Sequence, residues 1–336
     1  MIALYITSPE KGSGKTAICA GLGKQLLARG KKTGFFKPVI TDTGTATPNK
    51  DSDTEFIKHL FALSEPADLL CPLIHDGSNR ADSIKEAHAR VSQGKHVVII
   101  EGTADQYQSA PEIAKVLDAR VIIVETYSRE LLKGIDSYGD FGNSLLGIVL
   151  NKVPNTRLEQ ARAEASARLG QAGINLLGVL PEDRTLFTMT ISELADSIHG
   201  EILHGDGKSA ELVENLMLGA LALDPGPDYF SRKANKAVVL KSERADMQLA
   251  ALETSSRCLV LAGGTPPNKA VLNRAKRKNI PVISARDDVN TLVDKIENAL
   301  VNGKFNQDNK LSRVTEIIEQ HLDFQAVYQG LGLGGE

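Results

Sequence analysis

Gly12, Ser13, Gly14, Lys15 and Thr16 come four residues after a short apolar run, Ile2–Thr7, and lead directly into a stretch with helical periodicity. Two glycines one residue apart permit backbone angles that turn successive N–H groups inward, onto phosphate oxygens. The first turn of a helix adds partial positive charge at the same place. In such a loop the lysine reaches the terminal phosphates of a nucleoside triphosphate and the hydroxyl ligates Mg²⁺. The common spacing, G-x-x-x-x-G-K-[ST], opens on a glycine, and Pro9 stands in that position here. The phosphate-facing half is whole, so binding of ATP with Mg²⁺ is the expectation. A plain glycine-rich turn carrying an exposed lysine is the competing reading.

The elements around this loop must hold it against a sheet. "IALYIT", "KTGFFKPV", "HVVIIEG", "RVIIVET", "LLGIVLNKV" and "INLLGVLP" are rich in β-branched residues and apolar without alternation. That is the pattern of parallel strands buried on both faces. Helical patterns separate them, one over about 15–29 and another in "TRLEQARAEASARLGQAG". The order predicts an α/β fold, a P-loop-type, mostly parallel sheet with helices on both faces. Near Gly205 a glycine-marked joint opens a second, smaller α/β unit. It is expected to run as a helix over Ala210–Leu223, a strand at "KAVVLK", a helix over Ala245–Ser255, and a strand at "RCLVLAGG". A helix over Asn268–Lys278, a strand at "IPVISA" and a helix over Val289–Val301 complete it. The expected division is 1–205, 206–305, and 306–336 as a docking helix with a frayed "GLGLGGE" tail.

The 39 basic and 42 acidic residues leave a formal net charge of −3, which gives no electrostatic reason for nucleic acid or an anionic membrane as partner. No apolar stretch approaches the ~20 residues that cross a bilayer, and no secretory signal pattern is present. Cys19, Cys71 and Cys258 lack metal-ligand spacing, and a reducing, cytoplasmic location is the default. The seven histidines form no metal motif either.

"SPEKGSGKT", "GFFKPV", "DSDTEF", "VVIIEG", "GIVLNKV" and "LGVLPEDRTL", in this order, resemble the dethiobiotin synthetase-like ATPases, most closely the N-terminal region of long bacterial phosphotransacetylases. "VENLMLGALALDPGPDYF", "KSERADMQLAALETSSRCLVLAGG" and "IPVISARDD" resemble the DRTGG domain that follows that region. The catalytic acyl-transfer domain of those enzymes has no counterpart in these residues. The resemblance implies that Thr16, Asp53 and Glu101 are the metal-side ligands, with Asp51 a competitor for Asp53. It implies that Lys37 neutralises the transferring phosphoryl group, an electrostatic task typical of phosphoryl transfer. It also places Asn151 at the adenine, with Pro181 and Glu182 bordering the base, and it implies a homo-oligomer. A different phosphate loop, that of partition-type ATPases, needs a lysine where Glu10 stands, and Lys11 falls one residue late.

The match thins around substrate. The acidic strand continues as "EGTADQY" rather than a glycine-rich turn, so Asp105 and Tyr107 fall where a substrate would pack. Two functions therefore stand side by side. One is an ATP/Mg²⁺-binding regulatory or metabolite-sensing protein; the other is an ATP-dependent ligase resembling dethiobiotin synthetase, working through an acyl or carbamoyl phosphate. In the second unit, Ser242, Arg244, Asp246, Gly263 and Gly264 lie on loops after strands, the edge where α/β sheets bind ligands. They are candidates for a small-metabolite site or a subunit contact, and helix caps with a turn are the alternative.

Overall fold

The computed structural model describes residues 1–41, 51–128, 130–132, 134–183, 186, 188–219, 226–301 and 308–334. The chain forms two compact units, Met1–Asp183 with Lys304–Glu336, and Arg184–Gly303. In the first unit, β1 (Ile2–Thr7) leads through the glycine loop into α1 (Lys15–Ala28). There follow β2 (Thr33–Phe36), β3 (Val39–Thr41), α2 (Ser52–Leu60), α3 (Ala67–Leu70), β4 (Leu73–His75) and α4 (Arg80–Val91). Then come β5 (Val97–Glu101), α5 (Ala110–Val116), β6 (Arg120–Thr126), β7 (Leu145–Val153), α6 (Leu158–Gln171) and β8 (Leu176–Pro181).

Six of these strands pair in the order β2-β5-β1-β6-β7-β8, every pair parallel. Leu4, Tyr5 and Ile6 of β1, Val97–Ile100 of β5 and Val121–Val124 of β6 are fully buried. The unbroken apolar runs follow from this, because neither face of the central strands meets water. Parallel strands also bring their carboxyl ends to one edge. The glycine loop after β1, Lys37 after β2, Glu101 at the end of β5 and Asn151 near the end of β7 therefore gather there.

His88, on α4, meets the Phe36 ring edge-on with centroids 5.6 Å apart, and burial lowers its pKa from 6.5 to about 4. Between those values the unfolded chain takes up a proton that the folded one refuses. Stability is thus intact above the unfolded pKa, falls as pH drops through this window, and levels below it. Thermal melts at pH 7 and pH 5 should show a loss of about 2 kcal/mol that His88→Leu abolishes. Parallel pH profiles for parent and variant would refute this.

The second unit contains β9 (Met189–Thr190), α7 (Ile191–Ser197), β10 (Glu201–His204), β11 (Leu212–Val213), β12 (Asn215–Gly219) and α8 (Gly226–Phe230). It continues with β13 (Lys236–Lys241), α9 (Ala245–Leu252), β14 (Ser256–Ala262), α10 (Lys269–Lys278), β15 (Val282–Ser284) and α11 (Val289–Val301). Its sheet runs β10-β15-β14-β13-β12, parallel except where β10 meets β15. Ala237 and Val239 pack with Ile191, Leu194 and Leu292 on one face. Val238 and Leu240 pack with Met247, Ala251 and Val271 on the other. Gly205 lies inside this unit, because β10 just before it pairs with β15.

The helix expected over Ala210–Leu223 is instead β11 and β12, with residues 220–223 outside the described ones. Met217 joins the apolar cluster on one face while Leu216 and Leu218 pack against the other. That period of two, with parallel pairing to β13, overrides the local helix propensity of Leu, Met and Ala.

The chain then returns to the first unit through α12 (Asp308–His321) and α13 (Phe324–Gly330). Helix α12 lies so close on α1 that a Cβ at Gly21 would sit 2.3 Å from Ile318 Cδ1. Leu322 bridges Gly178 of β8, and the Asp323 N–H donates to Leu177 O at 2.7 Å. As far as Gly334 the tail is held in place rather than frayed. Leu331 is buried, and the Leu333 N–H donates to Tyr328 O at 2.8 Å. Among the described residues no helix is long and apolar enough to cross a membrane.

Candidate functional site

Gly12 and Gly14 carry φ of +69° and +95°, so both occupy the left-handed region that the tight turn into α1 demands. Gly14 is the N-cap of α1 and supplies no side-chain acceptor to the first turn, leaving its N–H donors for an anion. A Cβ at Gly14 would come within 2.3 Å of Asn151 Nδ2. Asn151 donates from Nδ2 to Ser13 O at 2.8 Å and accepts the Lys152 N–H at 2.9 Å. In this structure its amide braces the loop, where the resemblance had placed it at a base. Ser13 is fully buried, and Pro9 and Glu10 are exposed, so the missing first glycine does not close the loop. The Glu10 N–H donates to Ser8 Oγ at 3.1 Å, a side-chain turn that sets the loop's entry.

Among the described residues the buried Lys15 ammonium reaches Glu10 O at 3.3 Å and Ser13 Oγ at 3.5 Å. Burial lowers its pKa, and the nearby Glu101 carboxylate offsets this only in part. An arriving phosphate would supply the counter-charge that the ammonium lacks.

Lys37 stands on the other side of the same edge. Phe35 and Phe36 bury β2 completely, and the Lys37 N–H donates to Leu70 O at 2.7 Å, fixing the strand end. Its ammonium lies 3.0 Å from Asp51 Oδ2, 3.2 Å from Asp53 Oδ2 and 3.7 Å from Glu101 Oε1. Burial alone would pull its pKa down, but Glu101, Asp53 and Asp51 together outweigh that and hold it above the usual lysine value. The Glu101 carboxyl is raised by burial, with Lys37 opposing.

The carboxylates differ in what else they do. Asp51 caps α2, accepting the Thr54 N–H at 3.0 Å and the Thr54 hydroxyl at 2.6 Å. The Thr16 hydroxyl donates to Glu101 Oε1 at 2.8 Å. Asp53 Oδ1 and Glu101 Oε2 are buried and accept no hydrogen bond from any described residue. Buried carboxylate oxygens without partners are costly unless something else binds them. Among the described residues no three His, Cys, Asp or Glu side chains converge as a complete metal cage. Two carboxylates and a hydroxyl beside a phosphate loop instead fit Mg²⁺, which keeps waters and takes its remaining oxygens from phosphates. Asp51, tied to its helix, fits less well than Asp53.

The segment after β5 spans this edge. Asp105 pairs with Lys11 of the glycine loop at 3.0 Å, and Gln106 Nε2 donates to Ile40 O of β3 at 3.4 Å. The Tyr107 ring packs on Phe141 at 6.1 Å. The sequence reading missed a second buried carboxyl here: Glu125, near the end of β6, accepts the Tyr138 hydroxyl, and burial raises its pKa. An acidic residue closing the apolar run "VIIV", just as Glu101 closes "VVII", was the available signal. Pro181 pairs with Val153 at the end of β8, and the Glu182 N–H donates to Val153 O at 2.7 Å, which fixes both beside the end of β7.

The loop residues of the second unit bond to one another. The Ser242 hydroxyl donates to Ala262 O at 2.8 Å, and Arg244 closes on Asp246 at 2.8 Å. The Gly263 and Gly264 N–H groups donate to Asp287 O and Ala285 O, both at 2.9 Å. Each of these bonds is one that a turn or a helix cap makes.

Residues 3–190, more than half of the chain, match the family described as AAA domain. The chain belongs to that family. Residues 193–299 match the DRTGG domain, so a dethiobiotin synthetase-like P-loop domain is followed by a DRTGG domain. Phosphate acetyltransferase of Nitratidesulfovibrio vulgaris is 25% identical over 95% of this chain and 50% of its own length. The chain spans about half the length of the curated phosphate acetyltransferases that head its relatives. ATP-dependent dethiobiotin synthetase BioD of Caldicellulosiruptor saccharolyticus is 28% identical over 46% of this chain and 75% of its own. Among solved structures, the MinD cell division protein of Aquifex aeolicus aligns at 14% identity with a TM-score of 0.37, covering 55% of this chain and 84% of that one.

Proposed function

We propose that the chain is an ATP- and Mg²⁺-binding regulatory protein whose first unit holds the nucleotide. In this reading Gly12–Thr16 cradle the phosphates, Lys15 contacts the terminal ones, and Thr16, Asp53 and Glu101 hold the metal through oxygen or water. The observation that carries it is the pair of unpartnered buried oxygens, Asp53 Oδ1 and Glu101 Oε2, next to the Thr16 hydroxyl. Mg²⁺ would there balance charge and assist any phosphoryl transfer. The DRTGG domain, homo-oligomerisation and a cytoplasmic setting belong to the same proposal, as does a partner enzyme of the phosphate acetyltransferase kind.

Lys37 favours a second reading, the ligase, because a fixed ammonium at this edge suits a transferring phosphoryl group. Against it stands the 104–109 segment, tied to both the loop and β3. Calorimetric titration of the full chain with ATP should give micromolar binding that needs Mg²⁺. Thr16→Val should weaken it by about tenfold, the loss of one metal ligand. Binding indifferent to both Mg²⁺ and Thr16 would remove the proposal. Phosphate release stimulated by small carboxylic acids or diamines would move the conclusion to the ligase.

A further inference from the structure

A cavity of about 400 Å³ opens at the far end of α1, lined by Leu26, Arg29, Lys31, Tyr328 and Leu333. The helix has 14 residues, so this cavity lies about 20 Å from the phosphate loop. Its volume falls in the range of small-molecule sites. The Arg29 guanidinium sits 4.2 Å from the Tyr328 ring centroid. Stacking fixes the plane of a guanidinium while leaving its edge donors for a planar oxyanion. Lys31 also lines the wall.

The end of a helix would ordinarily oppose an anion through its free carbonyls. Here the Gly30 N–H donates to Leu27 O at 2.9 Å and the Lys31 N–H to Leu26 O at 3.0 Å. That closure mutes the opposition. Leu26 and Leu333 supply an apolar wall, and the Tyr328 hydroxyl is buried without a hydrogen-bond partner among the described residues. The wall is preformed, since the Leu331 N–H donates to Val327 O at 3.0 Å and the Leu333 N–H to Tyr328 O at 2.8 Å.

We propose that this cavity binds a small organic oxyanion, a carboxylate or phosphate monoester with an apolar body. Arg29 holds the oxyanion and Leu26, Leu333 and the Tyr328 ring hold the body. The site is separate from the nucleotide site and does not depend on it.

The test uses the full chain carrying Lys15→Ala, so that the phosphate loop cannot capture a probe. Benzoate and phenyl phosphate are titrated by ligand-observed NMR, with benzyl alcohol as the neutral control. Saturable binding of either anion is expected, with benzoate alone marking a carboxylate site and phenyl phosphate alone a phosphoryl site. Arg29→Gln should weaken it about tenfold or more, and Arg29→Lys, which keeps the charge but not the planar fork, should also weaken it and gives the reading should the glutamine variant melt early. Leu333→Trp should block binding by filling the cavity while leaving the guanidinium in place. The proposal is overturned if neither anion saturates in the millimolar range, if benzyl alcohol binds as well as they do, or if Arg29→Gln leaves affinity unchanged.

Discussion

Replacing Lys37 with methionine is expected to destabilise the metal-free chain by about 3–5 kcal/mol, the usual consequence of removing one partner from a buried ionic cluster. Asp51, Asp53 and Glu101 would face one another with no cation within 4 Å among the described residues. The side chains of Asp53 and Glu101 are only 14% and 4% exposed, so water screens them poorly. Methionine keeps the stem's packing, which isolates the charge as the cause. Mg²⁺ should then restore part of the loss, and should stabilise the variant more than the parent, because a ligand that binds only the folded state shifts its equilibrium. Denaturant unfolding in EDTA and in millimolar Mg²⁺ reads both effects. A loss below about 1 kcal/mol, the worth of an exposed pair, or an absence of Mg²⁺ rescue would show that Lys37 does not balance these carboxylates.

Lys15→Ala should do the reverse. The Lys15 ammonium is buried, but its contacts among the described residues are one carbonyl and one hydroxyl at 3.3 and 3.5 Å. Removing it relieves a desolvated charge, so stability should change by less than about 1 kcal/mol. Affinity for Mg²⁺-ATP should fall about 100-fold or more, since two charge-assisted hydrogen bonds to phosphate are lost. Calorimetry and thermal melts on the same preparation separate the two effects. Equal ATP affinity in variant and parent would mean that the loop does not hold phosphate. The two lysines thus make opposite predictions from one sheet edge, and the difference comes from how many carboxylates each faces.

Much of this edge was legible: Lys15 and Thr16 from the loop itself, and Lys37 and Glu101 from the family resemblance, with which their strand-end positions agree because parallel strands bring their carboxyl ends together. Asp51 and Asp53 could not be told apart that way, since both precede or open one helix. Only the bonds to Thr54 show that Asp51 is engaged as a cap. The strand at Asn215–Gly219 was read as helix because Leu, Met and Ala favour helices locally, whereas its pairing with β13 is a contact between distant parts of the chain. The second-unit loops left two readings side by side, a ligand site or helix caps and a turn, because sequence does not show which donors already have an acceptor. Glu125 was passed over for want of a motif, although its partner Tyr138 lies only 13 residues away.

The first unit is assembled from both ends of the chain, with Gly21 of α1 receiving Ile318 of α12. During synthesis, the Arg184–Gly303 stretch leaves the ribosome whole before α12 exists. Because domains fold as units while the chain emerges, the later-encoded body can mature first. The nucleotide-binding body must wait with one flank of α1 uncovered, and a transcript cut short before Ile318 would leave that flank bare for good.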